Sequence, residues 1–216
     1  KTYLCQNALA MNYISVDNIS KAFSDKLLFE NISFGIEKGE KTALVAANGT
    51  GKSTMMKILV GKEESDKGSI AYNENIRIGY LEQLPQYEPE LTIQEVISTG
   101  HTDIMNVIQR YENALLNHVD DNNLSTKKEL EDAISQMDSL QAWSYEQRLK
   151  QLLYTFEITD LSQKIGTLSG GQVKRLALAL VLLDDPDILF LDEPTNHLDM
   201  GMIEWLEKYL TQSTKT

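Results

Sequence analysis

Early in the chain, apolar residues recur at every second position. Ile14 and Val16 form one such set, Ile32, Phe34 and Ile36 a second, and Ile76, Ile78 and Tyr80 a third. Turn-forming stretches, Glu37-Lys38-Gly39-Glu40 and Asn73-Glu74-Asn75, separate them. A period of two broken by turns predicts an antiparallel β layer over residues 11 to about 81. From about 91 to 165 the spacing becomes helical, through Ile104, Val107, Ile108, Tyr111 and Leu115 and later Trp143, Leu149, Leu152 and Leu153. Asp120-Asp121-Asn122-Asn123 interrupts it. Two short apolar runs stand outside both patterns. Thr42-Ala43-Leu44-Val45 reads as a short buried strand. Ile188-Leu189-Phe190-Leu191, after the turn Asp184-Asp185-Pro186-Asp187, suits a strand buried on both faces of a parallel sheet. The fold class implied is α/β: a parallel core, an antiparallel β subdomain and an α-helical insert.

Chemistry enters directly after the first run. Ala46-Ala47-Asn48-Gly49-Thr50-Gly51-Lys52-Ser53-Thr54 leads into a helical stretch marked by Met55, Met56, Ile58 and Leu59 and stopped by Gly61. Strand, glycine loop and helix form the context in which Gly-Lys-Ser builds a phosphate cradle. Glycine admits positive φ and close backbone approach. Successive N–H groups at a helix start then form an anion nest. Lys52 is expected at the terminal phosphates of a bound nucleotide, and Ser53 at a magnesium ion. Ala46 stands where the first glycine of such loops usually sits, and its methyl group narrows the backbone there. A chance glycine-rich turn is the competing explanation.

The second run ends in Asp192-Glu193-Pro194-Thr195-Asn196-His197-Leu198-Asp199. Strand ends of doubly wound sheets are where ligands bind. Asp192 would hold magnesium, directly or through water. Glu193 would orient and polarise the water that attacks a γ-phosphate. Taken alone, both could be solvated charges at a strand end.

Between these stretches lies Leu168-Ser169-Gly170-Gly171-Gln172, opening a helical pattern of Leu176, Ala177, Leu180, Val181 and Leu183. Ser169 suits an N-cap. A helix start with free N–H groups is a second anion site. One nucleotide does not need both surfaces from one copy, so the simplest geometry has two domains facing each other.

These three stretches, in this order, make the chain resemble an ABC-type P-loop NTPase. Glu193-Pro194-Thr195-Asn196-His197-Leu198-Asp199, with Leu168 to Arg175, is similar to the ABC-F family of ATPases, notably its Uup-like bacterial branch. The resemblance covers Met11 to the C-terminus. It implies ATP and Mg2+ as ligands and ATP hydrolysis as the activity. It makes Gln83 a lid glutamine that senses magnesium and the attacking water, and Phe23 an aromatic that stacks on adenine. Ser169, Gly170, Gly171 and Gln172 would act in trans on a partner's nucleotide. Asp199 ends a loop facing the opposing domain, and His197 belongs to that loop. The partner would be a second ABC domain of the same chain or a second copy, with the ribosome a partner of the full-length protein. Some relatives serve DNA transactions instead. The resemblance also places a switch histidine and a last core strand beyond Thr216, so the domain is expected to be incomplete at its C-terminus. Two alternatives stay open: the ATP-binding subunit of a membrane transporter, and a regulatory module that binds ATP without turnover.

Composition narrows the rest. The chain has 216 residues, enough for one domain or a core plus subdomain. Its single cysteine, Cys5, excludes a disulfide framework and fits a reducing, cytoplasmic setting. No apolar run approaches the roughly 20 residues of a membrane helix. Lys1 to Ala10 do not fit the pattern that follows, so a vector-derived leader is expected before Met11. The net charge is −12, and residues 82–160 hold 15 acidic against 5 basic residues. Such a segment is expected to grip nucleic acid poorly, because phosphate contact needs Lys and Arg. His101 and His118 have no metal-ligand partners at useful spacing.

Overall fold

Alternation builds the first sheet. In β1 (Asn12–Phe23), Ile14 and Val16 point inward, and β2 (Lys26–Glu37) and β3 (Lys67–Tyr72) flank it antiparallel in the order β2-β1-β3. Ile14 faces Ile36 on one side and Tyr72 on the other. The register shifts between Val16 and Ile19, where Asn18 takes φ 50° and its N–H donates to Ser33 Oγ at 2.8 Å. This bulge returns Ile19 to the buried face. Gly68 on β3 has φ +87°, and a Cβ there would lie 2.4 Å from the Asp17 carbonyl oxygen. Only glycine lets the strands approach this closely.

The computed structural model describes residues 12–23, 26–99, 102–121 and 123–216. The expected leader and His101 lie outside them. The chain divides into two units, one running to Leu84 and resuming at Asp184–Thr216, the other Pro85–Leu183.

In the first unit, α1 (Lys52–Leu59) packs Met55 and Leu59 into a cluster with Tyr13, Ile14, Val16, Ile19, Ile36, Ile188 and Phe190. A second, two-stranded sheet pairs β4 (Ile78–Leu81) in parallel with β5 (Ile188–Leu191), Leu81 opposite Leu191. The Ile76 to Tyr80 set therefore leads into the parallel core, not the antiparallel layer. The third strand of that layer is instead β3, whose single inward apolar residue, Ile70, leaves little pattern to read. β5 is parallel as expected but not buried on both faces. Ile188 and Phe190 are buried, while Leu189 and Leu191 are half-buried. α7 (Met200–Gln212) closes the unit and buries Met202 and Leu206.

The expected strand at Thr42–Val45 does not form. These residues have no regular structure, and Val45 is 88% exposed. A strand needs a neighbour to take its backbone bonds. The free edge of β5 is taken by Thr216: Leu189 N–H donates to its carbonyl at 2.9 Å, and its own N–H donates to Asp187 at 3.2 Å. Thr216 Oγ1 also accepts from the Gly39 N–H at 2.7 Å. Thr216 thus bridges β5 and the turn after β2, and among the described residues no strand pairs with Thr42–Val45.

The second unit is helical: α2 (Ile93–Ser98), α3 (Thr102–Asp120), α4 (Leu124–Ser139), α5 (Ala142–Thr155) and α6 (Gly170–Leu183). Thr92 and Glu95 form a reciprocal capping box at α2. Asn123 caps α4 through the N–H groups of Ser125 and Thr126, which explains the break in the helical pattern. One core gathers Ile93, Val96, Ile97, Leu149, Leu153, Leu176 and Leu183. A smaller one joins Ile108, Met137 and Ala142, with Tyr111 edge-on to Trp143 at 4.8 Å. Leu115, which the helical pattern places with the core, is 39% exposed. His118 meets Thr126 Oγ1 through Nδ1 at 3.2 Å.

Candidate active site

The glycine loop folds because its special conformations fall on glycines. Gly49 has φ 75° and Gly51 φ 99°, and Gly51 is the left-handed residue from which α1 starts. A side chain at Gly51 would also meet Leu28, whose Cβ would lie 3.1 Å away. Lys52 turns back over the loop: its ammonium donates to the Ala46 carbonyl at 2.9 Å, the Ala47 carbonyl at 3.1 Å and Asn48 Oδ1 at 3.3 Å. Thr50 Oγ1 donates to the Ala47 carbonyl at 2.7 Å. The lysine thus rests on carbonyls, where a phosphate oxygen would compete for it. Ser53 and Thr54 form the first turn of α1 and are half-buried.

At the end of β5, Asp192 is 2% exposed and its N–H donates to the Leu81 carbonyl at 3.0 Å. The chain then turns sharply through Glu193, which has φ 47°, an uncommon conformation for a non-glycine residue. Gln83 Nε2 donates to Glu193 Oε2 at 2.6 Å, and Asn196 Nδ2 to the same oxygen at 2.7 Å. The parallel register brings this about, since β4 and β5 end side by side at Leu81 and Leu191. Gln83 and Glu193, 110 positions apart, therefore meet. Asn196 enters the sequence reading only as part of the motif. Its amide contact to Glu193 is a detail that reading missed.

Tyr80, opposite Phe190, belongs to the same sheet end. Burial first, then the neighbouring Asp192 and Glu82 carboxylates, push its phenol up to about 12. Lys62 pairs with Glu82 at 2.5 Å and lies 5.3 Å from the centre of the Tyr80 ring.

Phe23 ends β1, half-exposed, with the Lys21 ammonium 5.5 Å from its ring centre. In the helical unit, Ser169 caps α6: its Oγ accepts from the Gln172 N–H at 3.3 Å, while Gln172 Oε1 accepts from the Ser169 N–H at 2.8 Å. Gly170 and Gly171 form the first turn of that helix. Asp199 caps α7 through the Met202 N–H at 3.0 Å. His197 takes φ 66° in the intervening turn. Among the described residues, no group of three or more His, Cys, Asp and Glu side chains is placed to hold a metal ion. Ser53, Gln83 and Asp192, which the sequence assigns to a cation, lie in the first turn of α1, just after β4 and just after β5. Among the described residues, no helix is long and apolar enough to cross a membrane.

The chain is similar to known proteins. The family profile described as ABC transporter matches residues 29–196. The uncharacterized ABC transporter ATP-binding protein YfmR of Bacillus subtilis is 39% identical over 94% of this chain and 32% of its own length. ATP-binding protein Uup of Escherichia coli is 34% identical over 93% of this chain and 31% of its own. The energy-dependent translational throttle protein EttA of Escherichia coli is 34% identical over 85% and 33%. The chain thus spans about a third of the length of these curated relatives. Among solved structures, the ATP-binding subunit of an ABC transporter superposes with a TM-score of 0.65 at 23% identity, covering 94% of this chain and 75% of its own. A dimeric ATP-binding cassette in a post-hydrolysis state, bound to ADP and Pi, gives 0.61 at 22% identity, over 94% and 85%. These two show the fold. With the profile covering most of the chain and the phosphate loop, acidic strand end and capped α6 in place, the chain belongs to the ABC transporter family of ATP-binding domains.

Proposed function

We propose that this chain binds ATP with magnesium and hydrolyses it as one half of a paired, ABC-F-type ATPase. The observation that carries this reading is the Gln83–Glu193–Asn196 cluster at the end of β5. Two amide donors fix one carboxylate oxygen of Glu193. The other oxygen then has a defined direction in which to accept a proton from water. The Lys52 ammonium leaves the Ala46 and Ala47 carbonyls for the β- and γ-phosphates, exchanging neutral acceptors for charged ones. Peptide N–H groups around Gly49 to Lys52 hold the same phosphates. Phe23 supplies a stacking face for the base. Ser53, Gln83 and Asp192 offer the hard oxygen donors that magnesium prefers. When bound, the ion supplies charge neutralisation across the phosphates.

Ser169 to Gln172 act on the nucleotide of a partner domain in this reading. Ser169 and Gln172 hold the turn in shape, and the first N–H groups of α6 carry the anion preference of a helix start. The domain sandwich closes on ATP and opens after hydrolysis. The similarity to EttA, named for a role in translation, supports a translation-linked function.

Calorimetric titration of ATP with magnesium tests the site. Lys52→Ala is expected to weaken binding by at least tenfold, since one charged contact to phosphate is worth roughly 1.5–3 kcal/mol. Unchanged affinity in that variant would remove the phosphate-loop assignment.

A further inference from the structure

A second lysine reaches the glycine loop from outside. Lys26, the first residue of β2, donates from its ammonium to the Gly49 carbonyl at 3.0 Å. It stands directly across the hairpin from Phe23. Two and three residues further along β2, Leu28 and Phe29 lie against Gly51. The start of β2 is therefore the wall on which the loop is built, and Lys26 is a polar contact of that wall to the loop.

That contact acts on a peptide plane. The carbonyl of Gly49 and the N–H of Thr50 belong to one planar unit and point in opposite directions. Gly49, at φ 75°, has few steric constraints of its own to fix this plane. Holding its carbonyl on Lys26 turns the Thr50 N–H away from β2. An anion cradle needs this arrangement, because a carbonyl swung inward would repel phosphate oxygens. Among the described residues, two other side chains tie the loop, Lys52 also reaching Asn48 Oδ1. Lys52 holds the Ala46 and Ala47 carbonyls, and Thr50 Oγ1 holds the Ala47 carbonyl. The Lys52 tie is lost when that ammonium moves onto phosphate. The Lys26 tie, coming from a neighbouring strand, persists.

We infer that Lys26 is a positioning residue of the nucleotide site, acting through the Gly49 carbonyl to keep the loop N–H groups turned toward the terminal phosphates. This rests on the reading of residues 46–54 as the phosphate cradle. It couples the hairpin carrying Phe23 to the loop holding the phosphates, so base and phosphate contacts share one rigid support.

The test compares Lys26→Met, Lys26→Arg and Lys52→Ala in the present chain. ATP, ADP and AMP are titrated with magnesium, and amide hydrogen exchange is followed without nucleotide. Lys26→Met is expected to weaken ATP and ADP about three- to tenfold, the range for one modest hydrogen bond, and to leave AMP unchanged. Exchange should quicken at residues 48–51 and stay constant at Met55 to Leu59. Lys26→Arg, which keeps a donor and the charge, should restore ATP affinity to within about twofold. Wild-type ATP affinity in Lys26→Met overturns the inference. So does an equal loss for AMP, which would mean general loosening, or unchanged exchange across the loop. If Lys26→Met melts early, Lys26→Gln carries the same comparison. If Lys52→Ala keeps full ATP affinity, the cradle reading fails and the role of Lys26 falls with it. If only Lys52→Ala loses affinity, the cradle stands and the Lys26 role alone is refuted.

Discussion

Asn196→Ala offers the sharpest test of how Glu193 is held. Asn196 Nδ2 and Gln83 Nε2 converge on one carboxylate oxygen at 2.7 and 2.6 Å. Each is a charge-assisted bond near the surface, worth about 1 kcal/mol once solvent competition is counted. If that energy is expressed in the transition state, losing Asn196 slows turnover roughly fivefold. Glu193→Gln removes the proposed base and should slow turnover by about 10²–10⁴. The two effects should not multiply. With no carboxylate to orient, Asn196→Ala added to Glu193→Gln should cost less than about twofold more. The assay is single-turnover phosphate release at saturating ATP and magnesium, in the paired state proposed above. A fivefold loss from Asn196→Ala in both backgrounds would show that Asn196 acts independently of Glu193.

Two further outcomes concern stability. The Tyr80 hydroxyl is buried without a hydrogen-bond partner among the described residues, so Tyr80→Phe should raise stability by about 1 kcal/mol, read from denaturant midpoints; destabilisation by a similar amount would mean that the hydroxyl has a partner. The carboxyl of Asp66 is held below its ordinary range, first by the Ala22 N–H at 2.8 Å and then by Lys21, and that of Asp187 first by the Arg77 N–H at 2.9 Å. A depressed folded value gives stability that is complete above the unfolded value, about 4, and lost as pH falls through the folded one. Denaturation midpoints measured from pH 7 to pH 2.5 should therefore drop in the acid limb, and Asp66→Asn should flatten that limb; an unchanged slope would refute the assignment.

How far the fold could be read depended on how local its causes are. β1 and β2 were legible because Ile14, Val16, Ile32, Phe34 and Ile36 alternate within single segments. The helices of the second unit were legible because their caps and apolar spacing lie within a few residues, as at Thr92–Glu95 and Asn123–Thr126. Thr42–Val45 failed because a strand needs a neighbour to take its backbone bonds, and among the described residues no strand pairs with it. β3 escaped notice because Ile70 alone points into the core. For β5, hydrophobicity correctly gave a buried strand, but burial of the second face depends on what covers it, which no local pattern encodes.

The site divides along the same line. Lys52 and its loop were legible because glycine conformations and a helix start are local properties. Gln83 had no chemical meaning from its own surroundings, and only the family resemblance singled it out. Its amide reaches Glu193 because β4 and β5 run parallel with Ile78 opposite Ile188. A shift of one residue in that register would turn the side chains of one strand to the opposite face of the sheet. Ile188 and Phe190 would then leave the apolar cluster they share with Met55 and Leu59. Packing against α1 therefore fixes the register, and the register sets Gln83 beside Glu193. The same helix begins at Lys52, so one apolar cluster aligns the acidic strand end with its glutamine and anchors the helix that carries the phosphate-loop lysine. Glu193 could be recognised from its own segment, and Gln83 only through the resemblance. Their meeting is a consequence of which apolar residues the core must bury.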